Sequence, residues 1–205
     1  MDDIYKNLPL NDIPWNMETP PDALIGLIDN KTVTPCTTID LGCGTGNYAS
    51  YIAGCGFEVT GIDLSGEAIK LARTGAAKKG VQVRFEKADM LGDMADINDT
   101  FDFAYDWEVL HHIFPEQRRT YVENVCRLLN PKGKYLSVCF SIKDKQFGGH
   151  GKYRKTRLGT SLYFSTENEI ETLFAPYFNI KELKTISVAG KMGEHWAVYC
   201  FMEKK

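Results

Sequence analysis

The chain has 205 residues, with 24 Lys+Arg against 27 Asp+Glu and a formal net charge of −3, which is long enough for one domain with a well-buried core. Without a basic excess it is poorly suited to holding a phosphate backbone, and this argues against nucleic acid as a partner. Its six cysteines (Cys36, Cys43, Cys55, Cys126, Cys139 and Cys200) form no C-x-x-C pair and no zinc-like cluster with histidine, so buried free thiols in a reduced, cytoplasmic setting are expected. The opening Met-Asp-Asp-Ile-Tyr is no basic region followed by an apolar core, and no apolar run approaches a membrane span.

Residues 1–35 precede the first strand. Pro20 and Pro21 restart the chain there, and 22–28 reads as an amphipathic helix. Trp15, between a proline and a polar cluster, either lies over a ligand as part of a lid or anchors the segment to the domain. Thr37–Leu41 is a short strand that runs into Gly42, Gly44 and Gly46, and a helix follows over Asn47–Gly54. The next strand is 57–63. Ser65 is placed to cap a helix over Gly66–Lys79, and Gly80 ends it. A strand at 83–88 leads into an acidic, irregular connection at 90–100. Then come a strand at 101–105, a helix at about 116–129, a turn at Asn130-Pro131-Lys132-Gly133 and a strand at 135–140. Strands alternating with helices predict an α/β fold, a mostly parallel sheet with helices on both faces. The tail changes character. A polar loop at 142–161 precedes a helix opened by a Thr166–Glu169 capping box. Two strands, Phe178–Val188 and 195–202, are joined by a short turn at 189–193, which predicts an antiparallel hairpin.

The glycine turn carries the chemistry. Asp40-Leu41-Gly42-Cys43-Gly44-Thr45-Gly46 is D-x-G-x-G-x-G, not the dinucleotide spacing G-x-G-x-x-G. A carboxylate beside the turn repels a pyrophosphate but suits an ammonium group. Asp63 ends the next strand roughly twenty residues after the first glycine, where an acid reaches ribose hydroxyls. S-adenosylmethionine (SAM) joins an amino acid to a ribose and answers both acids. With Ala88-Asp89 in order behind them, these residues make the chain resemble the class I SAM-dependent methyltransferases. The resemblance implies a Rossmann-like sheet ending in an antiparallel hairpin, and a single domain over 1–205. In that domain 1–35 is lid-like, 36–141 binds cofactor, and 142–205 gives the substrate-side loop, helix and hairpin. It implies SAM as cofactor and S-adenosylhomocysteine as product. Asp40, Gly42, Cys43, Gly44 and Gly46 would lie along the methionine part, Asp63 and Leu64 at the ribose, and Asp89 and Met90 at the adenine.

The loops after the strands that follow should complete the pocket. After 101–105 stands Tyr105-Asp106-Trp107-Glu108-Val109-Leu110-His111-His112, which is partly similar to the thiol, thiopurine and halide methyltransferases, as is Pro14-Trp15-Asn16. Asp106, at the end of a central strand, is the best acid/base candidate; a cap or a contact to the SAM amine is the equal alternative. His112 is the second catalytic candidate. Of His111 and His112, read as helical, at most one faces the pocket. Trp107 either flanks a ligand or packs in the core. Trp15, Trp107, His111 and Tyr153 are the substrate-side candidates. Tyr153 lies in the one dense basic run, His150 to Arg157, read either as a solvated face or as a lid attracting an anion. The reading is a SAM-dependent methyltransferase for a small molecule, such as a thiol or other soft nucleophile, acting as monomer or homodimer without nucleic acid, membrane or metal. Its rivals are a methyltransferase for protein or nucleic acid, and a non-catalytic SAM-binding module.

Overall fold

The computed structural model describes residues 2–92, 94 and 97–205. Of the irregular connection expected at 90–100, residues 93, 95 and 96 lie outside the described residues. In chain order the elements are α1 (Asp2–Asn7), α2 (Asp22–Asp29), β1 (Thr37–Leu41), α3 (Asn47–Gly54), β2 (Glu58–Asp63), α4 (Gly66–Lys79) and β3 (Arg84–Lys87). There follow β4 (Phe101–Trp107), α5 (Pro115–Leu128), β5 (Leu129–Phe140), β6 (Tyr153–Lys155), β7 (Ser161–Tyr163), α6 (Glu167–Phe174), β8 (Phe178–Val188) and β9 (His195–Lys204). Seven strands form one sheet in the order β3-β2-β1-β4-β5-β9-β8. The first five strands pair in parallel, while β9 runs antiparallel to both β5 and β8. This is the expected α/β fold with its C-terminal hairpin. The order reverses between β1 and β4, so a crevice opens beyond their carboxyl ends.

Register sorts the side chains onto two faces. Ile39 lies opposite Ala104, and Asp40 opposite Tyr105. With a period of two, Ile39, Leu41 and Ala104 face one core, with Tyr121 and Val125 of α5 and Phe174 of α6. Phe103 and Tyr105 face the other, with Leu24 of α2, Ile52 of α3 and Ala72 of α4. The caps hold as expected. The Ser65 hydroxyl accepts from the Ala68 N–H, Gly80 ends α4 at φ 68°, and Thr166 with Glu169 closes a reciprocal capping box.

Two stretches differ from expectation. The strand expected at 135–140 begins at Leu129, directly after α5, because Leu129 already pairs with Phe101; the register then slips so that Phe103 faces Lys134, and the expected turn survives as a bulge with Lys132 at φ 64°. The loop at 142–161 is not structureless, since β6 pairs with β7. Arg154 organises it: its buried guanidinium donates to the carbonyls of Ile142, Asp144, Gln146 and Gly151 and stacks 3.8 Å from the Phe164 ring centre. Among the described residues no helix is long and apolar enough to cross a membrane, and each of the six cysteines is a free thiol.

Candidate active site

The turn after β1 is built for close approach from both sides. A Cβ on Gly42, at φ 76°, would lie 2.5 Å from the Val109 side chain in the loop after β4. One on Gly46, at φ 72°, would lie 2.5 Å from the Phe85 ring. Only glycine fits positions that are both left-handed and this crowded. The N–H groups of Gly42 and Cys43 bond the Ile62 carbonyl at 2.8 and 2.9 Å, tying the turn to β2. That of Gly44 bonds Asp63 Oδ2 at 2.9 Å, while Asp63 Oδ1 accepts from the Ser65 N–H at 2.8 Å.

This turn forms one wall of a cavity of about 630 Å³, which Asp40, Gly42, Cys43, Gly44, Asp63, Leu64, Asp89 and Met90 line. Asp40 is buried, and its Oδ2 has no hydrogen-bond partner among the described residues. Burial pushes its carboxyl up to about 7, against the lowering effect of the Tyr105 hydroxyl. Burial also raises Asp63, despite its two backbone donors. Asp89 accepts the Leu91 N–H on one oxygen. Gly46 does not line the cavity; it sits beneath, letting α3 start against Phe85.

The N-terminal segment lies across the glycine turn. Trp15 lines the cavity, and its indole N–H donates to the Tyr5 hydroxyl at 2.9 Å. Asn16 Oδ1 accepts from the Thr45 hydroxyl at 2.5 Å and from Asn47 at 3.3 Å. From the other side Lys191, in the β8–β9 turn, donates to the carbonyls of Leu10, Asn11 and Ile13 at 3.2, 3.1 and 3.0 Å.

The same cavity is lined by Trp107, Phe140 and Phe147, the last two with ring centres 6.0 Å apart. His111 stacks on Phe140 with ring centres 4.4 Å apart. Both His111 and His112 line the cavity, which corrects the expectation that at most one does. They stand on a single 3₁₀ turn, Leu110–His112, with ring centres 4.5 Å apart, not on opposite faces of an α-helix. Burial holds His111 well below the ordinary histidine value and His112 at about 4, so both stay neutral at neutral pH.

Asp106 needs correction as a catalytic or cofactor residue. It is fully buried, and its Oδ2 accepts from Tyr121 of α5 at 3.0 Å and from Tyr135 of β5. Asp40 lies opposite Tyr105 in register, so Asp106 points to the other face of the sheet and does not line the cavity. Burial pushes it up to about 6 against the pull of the two tyrosine hydroxyls and Ser137. Tyr153 also departs from the site. It alternates outward on β6, 61% exposed against Phe114 and Tyr163, while Thr156, Arg157 and Leu158 from the same loop line the cavity.

The sequence reading passed over Glu108 and His195. The loop after β4 turns sharply at Glu108, which has φ 63° and an N–H bonded to the Val138 carbonyl at 2.8 Å. Its carboxylate pairs with Nε2 of His195, the first residue of β9, and both line the cavity. Phe140, Phe147, Leu162 and Lys191 were likewise not singled out. Among the described residues there is no cluster of three or more His, Cys, Asp or Glu that could hold a metal ion.

Comparison with known proteins follows the same lines. A family model described as a methyltransferase domain matches residues 39–133. The chain is 29% identical over 128 residues to the 2-heptyl-1-hydroxyquinolin-4(1H)-one methyltransferase of Mycobacteroides abscessus, covering 62% of this chain and 56% of that protein. It is 35% identical over 164 residues to a ubiquinone biosynthesis O-methyltransferase of Xanthomonas oryzae pv. oryzae, covering 77% and 66%. The chain thus spans between about half and two thirds of the length of these relatives. A protein solved in work on the conversion of a disulfide bond into a thioacetal group during echinomycin biosynthesis superposes over all of this chain and 90% of its own, with a TM-score of 0.84 at 23% identity. That likeness is one of fold.

Proposed function

Because the chain belongs to the class I SAM-dependent methyltransferases, we propose that it is an enzyme moving a methyl group from SAM to a small molecule with a flat, apolar body. One observation carries the reading: a single cavity is lined both by the acid-flanked glycine turn and by the aromatic side chains of Trp107, Phe140 and Phe147. The residues fit SAM on their own chemistry. Asp40 brings a buried carboxylate oxygen without a partner, which an ammonium group would satisfy. Asp63, fixed by two backbone donors, keeps lone pairs for a ribose diol, and Asp89 keeps an oxygen for the adenine amino group. Leu64 would lie at the ribose and Met90 at the adenine, and Gly42 and Gly44 leave room for the methionine chain.

SAM, when bound, supplies an electrophilic methyl on a sulfonium. The chain's own part is to align the acceptor and keep water out, which by itself can contribute much of the acceleration. Trp15, Tyr5 and Asn16 act as the roof, tied to the glycine turn by the Thr45–Asn16 bond and to the hairpin by Lys191. The aromatic wall orients the acceptor. A thiol or other soft nucleophile is the second reading, favoured by that polarisable wall and by the likeness to the thiol and thiopurine group.

Calorimetric titration with SAM and S-adenosylhomocysteine tests the cofactor, and transfer from labelled SAM to a small-molecule panel tests turnover. Both ligands are expected to bind. Asp63→Ala should weaken SAM by more than about tenfold, since paired hydrogen bonds to a buried ligand are lost. Unchanged affinity removes Asp63 from the site. Binding without transfer to any acceptor leaves a SAM-binding module, not an enzyme.

A further inference from the structure

The fold treats the cavity's histidines differently. His111 and His112 are held neutral by burial, with no carboxylate bonded to either. His195 lies edge-on to Phe140 with ring centres 4.9 Å apart, and its Nε2–H donates to Glu108 Oε1. In the neutral imidazole that bond puts the proton on Nε2 and leaves the lone pair on Nδ1. No described residue hydrogen-bonds Nδ1. A Cβ placed on the cavity-lining Gly190 would come within 3.3 Å of that nitrogen, so Nδ1 is turned toward the β8–β9 side of the cavity. Glu108 makes this bond from a backbone held at φ 63°, a conformation glutamate rarely adopts; such strain persists where the surroundings enforce it.

We propose that the methyl acceptor is a hydroxyl of phenol or enol type, and that His195, positioned by Glu108, receives its proton at Nδ1. The proposal rests on the SAM-dependent reading above and names the acceptor class of that site. The acceptor O–H bond breaks as its proton passes to Nδ1. An oxygen lone pair forms the new C–O bond, while the carbon–sulfur bond breaks and leaves its electron pair on sulfur. The imidazolium is then balanced by Glu108 and later yields its proton to water. A thiolate needs none of this apparatus.

The charges around His195 agree with that role. Burial alone lowers its affinity for a proton, but the Glu108 bond and charge, with Asp144 on the loop after β5, outweigh burial and raise it. Asp144 is fixed there by the N–H groups of Trp196 and Gln146, at 2.7 and 2.6 Å. His111, across Phe140, is the opposing cation only if protonated, which burial prevents. Arg157 and Lys191 line the same cavity.

A test independent of turnover is a magnetic-resonance titration of the imidazoles in the full chain. The His195 midpoint should lie above those of His111 and His112, and Glu108→Gln should lower it by about one pH unit. A His195 midpoint unmoved by Glu108→Gln overturns the pairing. Turnover is read with 2-naphthol and with 2-naphthalenethiol, probes of like shape, alongside calorimetric SAM binding on the same preparations. His195→Gln keeps a donor for Glu108 but has no titratable lone pair. It should cut kcat for 2-naphthol about 100-fold and change KM for SAM and thiol turnover by less than about threefold. Glu108→Gln should move the acid limb of the naphthol profile down by about one unit, which a merely structural loss would not do. Equal losses on both probes, or methylation of the thiol alone, overturn the proposal. SAM binding with neither probe methylated overturns it too and leaves the cofactor reading standing; failure to bind SAM removes both.

Discussion

Two carboxylates face the cavity from neighbouring strands, Asp40 at the end of β1 and Glu108 just past the end of β4, and they are provided for in different ways. Asp40 is buried with an oxygen that nothing in the described chain satisfies, and it holds its proton up to about pH 7. Glu108 already has its cation-to-be, His195, inside the protein. An acid on the cavity wall left short of a partner is a place for a ligand's positive charge, whereas an acid supplied with one tunes that partner. Asp106, two residues before Glu108, is a third kind. Tyrosines from two elements bond its Oδ2 away from the cavity, its Oδ1 has no partner among the described residues, and the pair of tyrosine bonds ties α5 to the sheet.

Asp40→Asn breaks the comparison most severely. It should weaken SAM by more than tenfold, about 1.4 kcal/mol or more, because the ammonium loses its charged partner. The pH dependence follows from the raised carboxyl. An unfolded aspartate ionises near 4, and the folded Asp40 near 7. Its contribution to ligand-free stability is therefore fully present below about pH 4 and is lost as pH rises through about 7. Urea unfolding across that window should show the decline in the wild type, and Asp40→Asn should remove this group's share of it. SAM binding near pH 6 should release a proton in the wild type and not in the variant, as read by calorimetry in buffers of different ionisation enthalpy. Asp106→Asn should act on the fold alone. We expect a loss of about 1–3 kcal/mol in unfolding stability with SAM affinity and kcat within about threefold of wild type. A large fall in kcat at unchanged stability would return Asp106 to the chemistry. Lys191→Ala is the mildest. Stability should change by less than about 1 kcal/mol, while stopped-flow SAM dissociation quickens a few-fold as the roof loosens.

How legible each part was in the sequence follows from how its residues are assembled. Asp40 to Gly46 is one contiguous stretch, Asp63 ends β2 and Asp89 lies just past β3, so spacing alone brings them to one edge of the sheet. The acceptor side is drawn from residues scattered over four separate segments between 107 and 195: Trp107 and Glu108, Phe140, Leu162 and His195. Asp106 misled because its face depends on register with β1, which a single strand does not reveal. His195 was within reach of a topological argument. A final strand antiparallel to β5 must begin where β5 ends, beside the ligand. Glu108 was not within reach, since its reversal at φ 63° leaves no mark in a segment with neither glycine nor asparagine. The fold of 142–161 was hidden for another reason: Arg154 reads as one basic residue among several, yet four backbone carbonyls close around it.

The contact between Lys191 and the carbonyls of Leu10, Asn11 and Ile13 joins positions 178 to 181 residues apart. A chain leaving the ribosome makes β1, the glycine turn and β2 long before the turn that carries Lys191 exists. During synthesis the ligand floor is therefore present without the fastening of its cover, and that fastening comes with the β8–β9 hairpin. Retention of ligand would thereby depend on a contact made late: a molecule cut before Lys191 can shape the floor but cannot latch it.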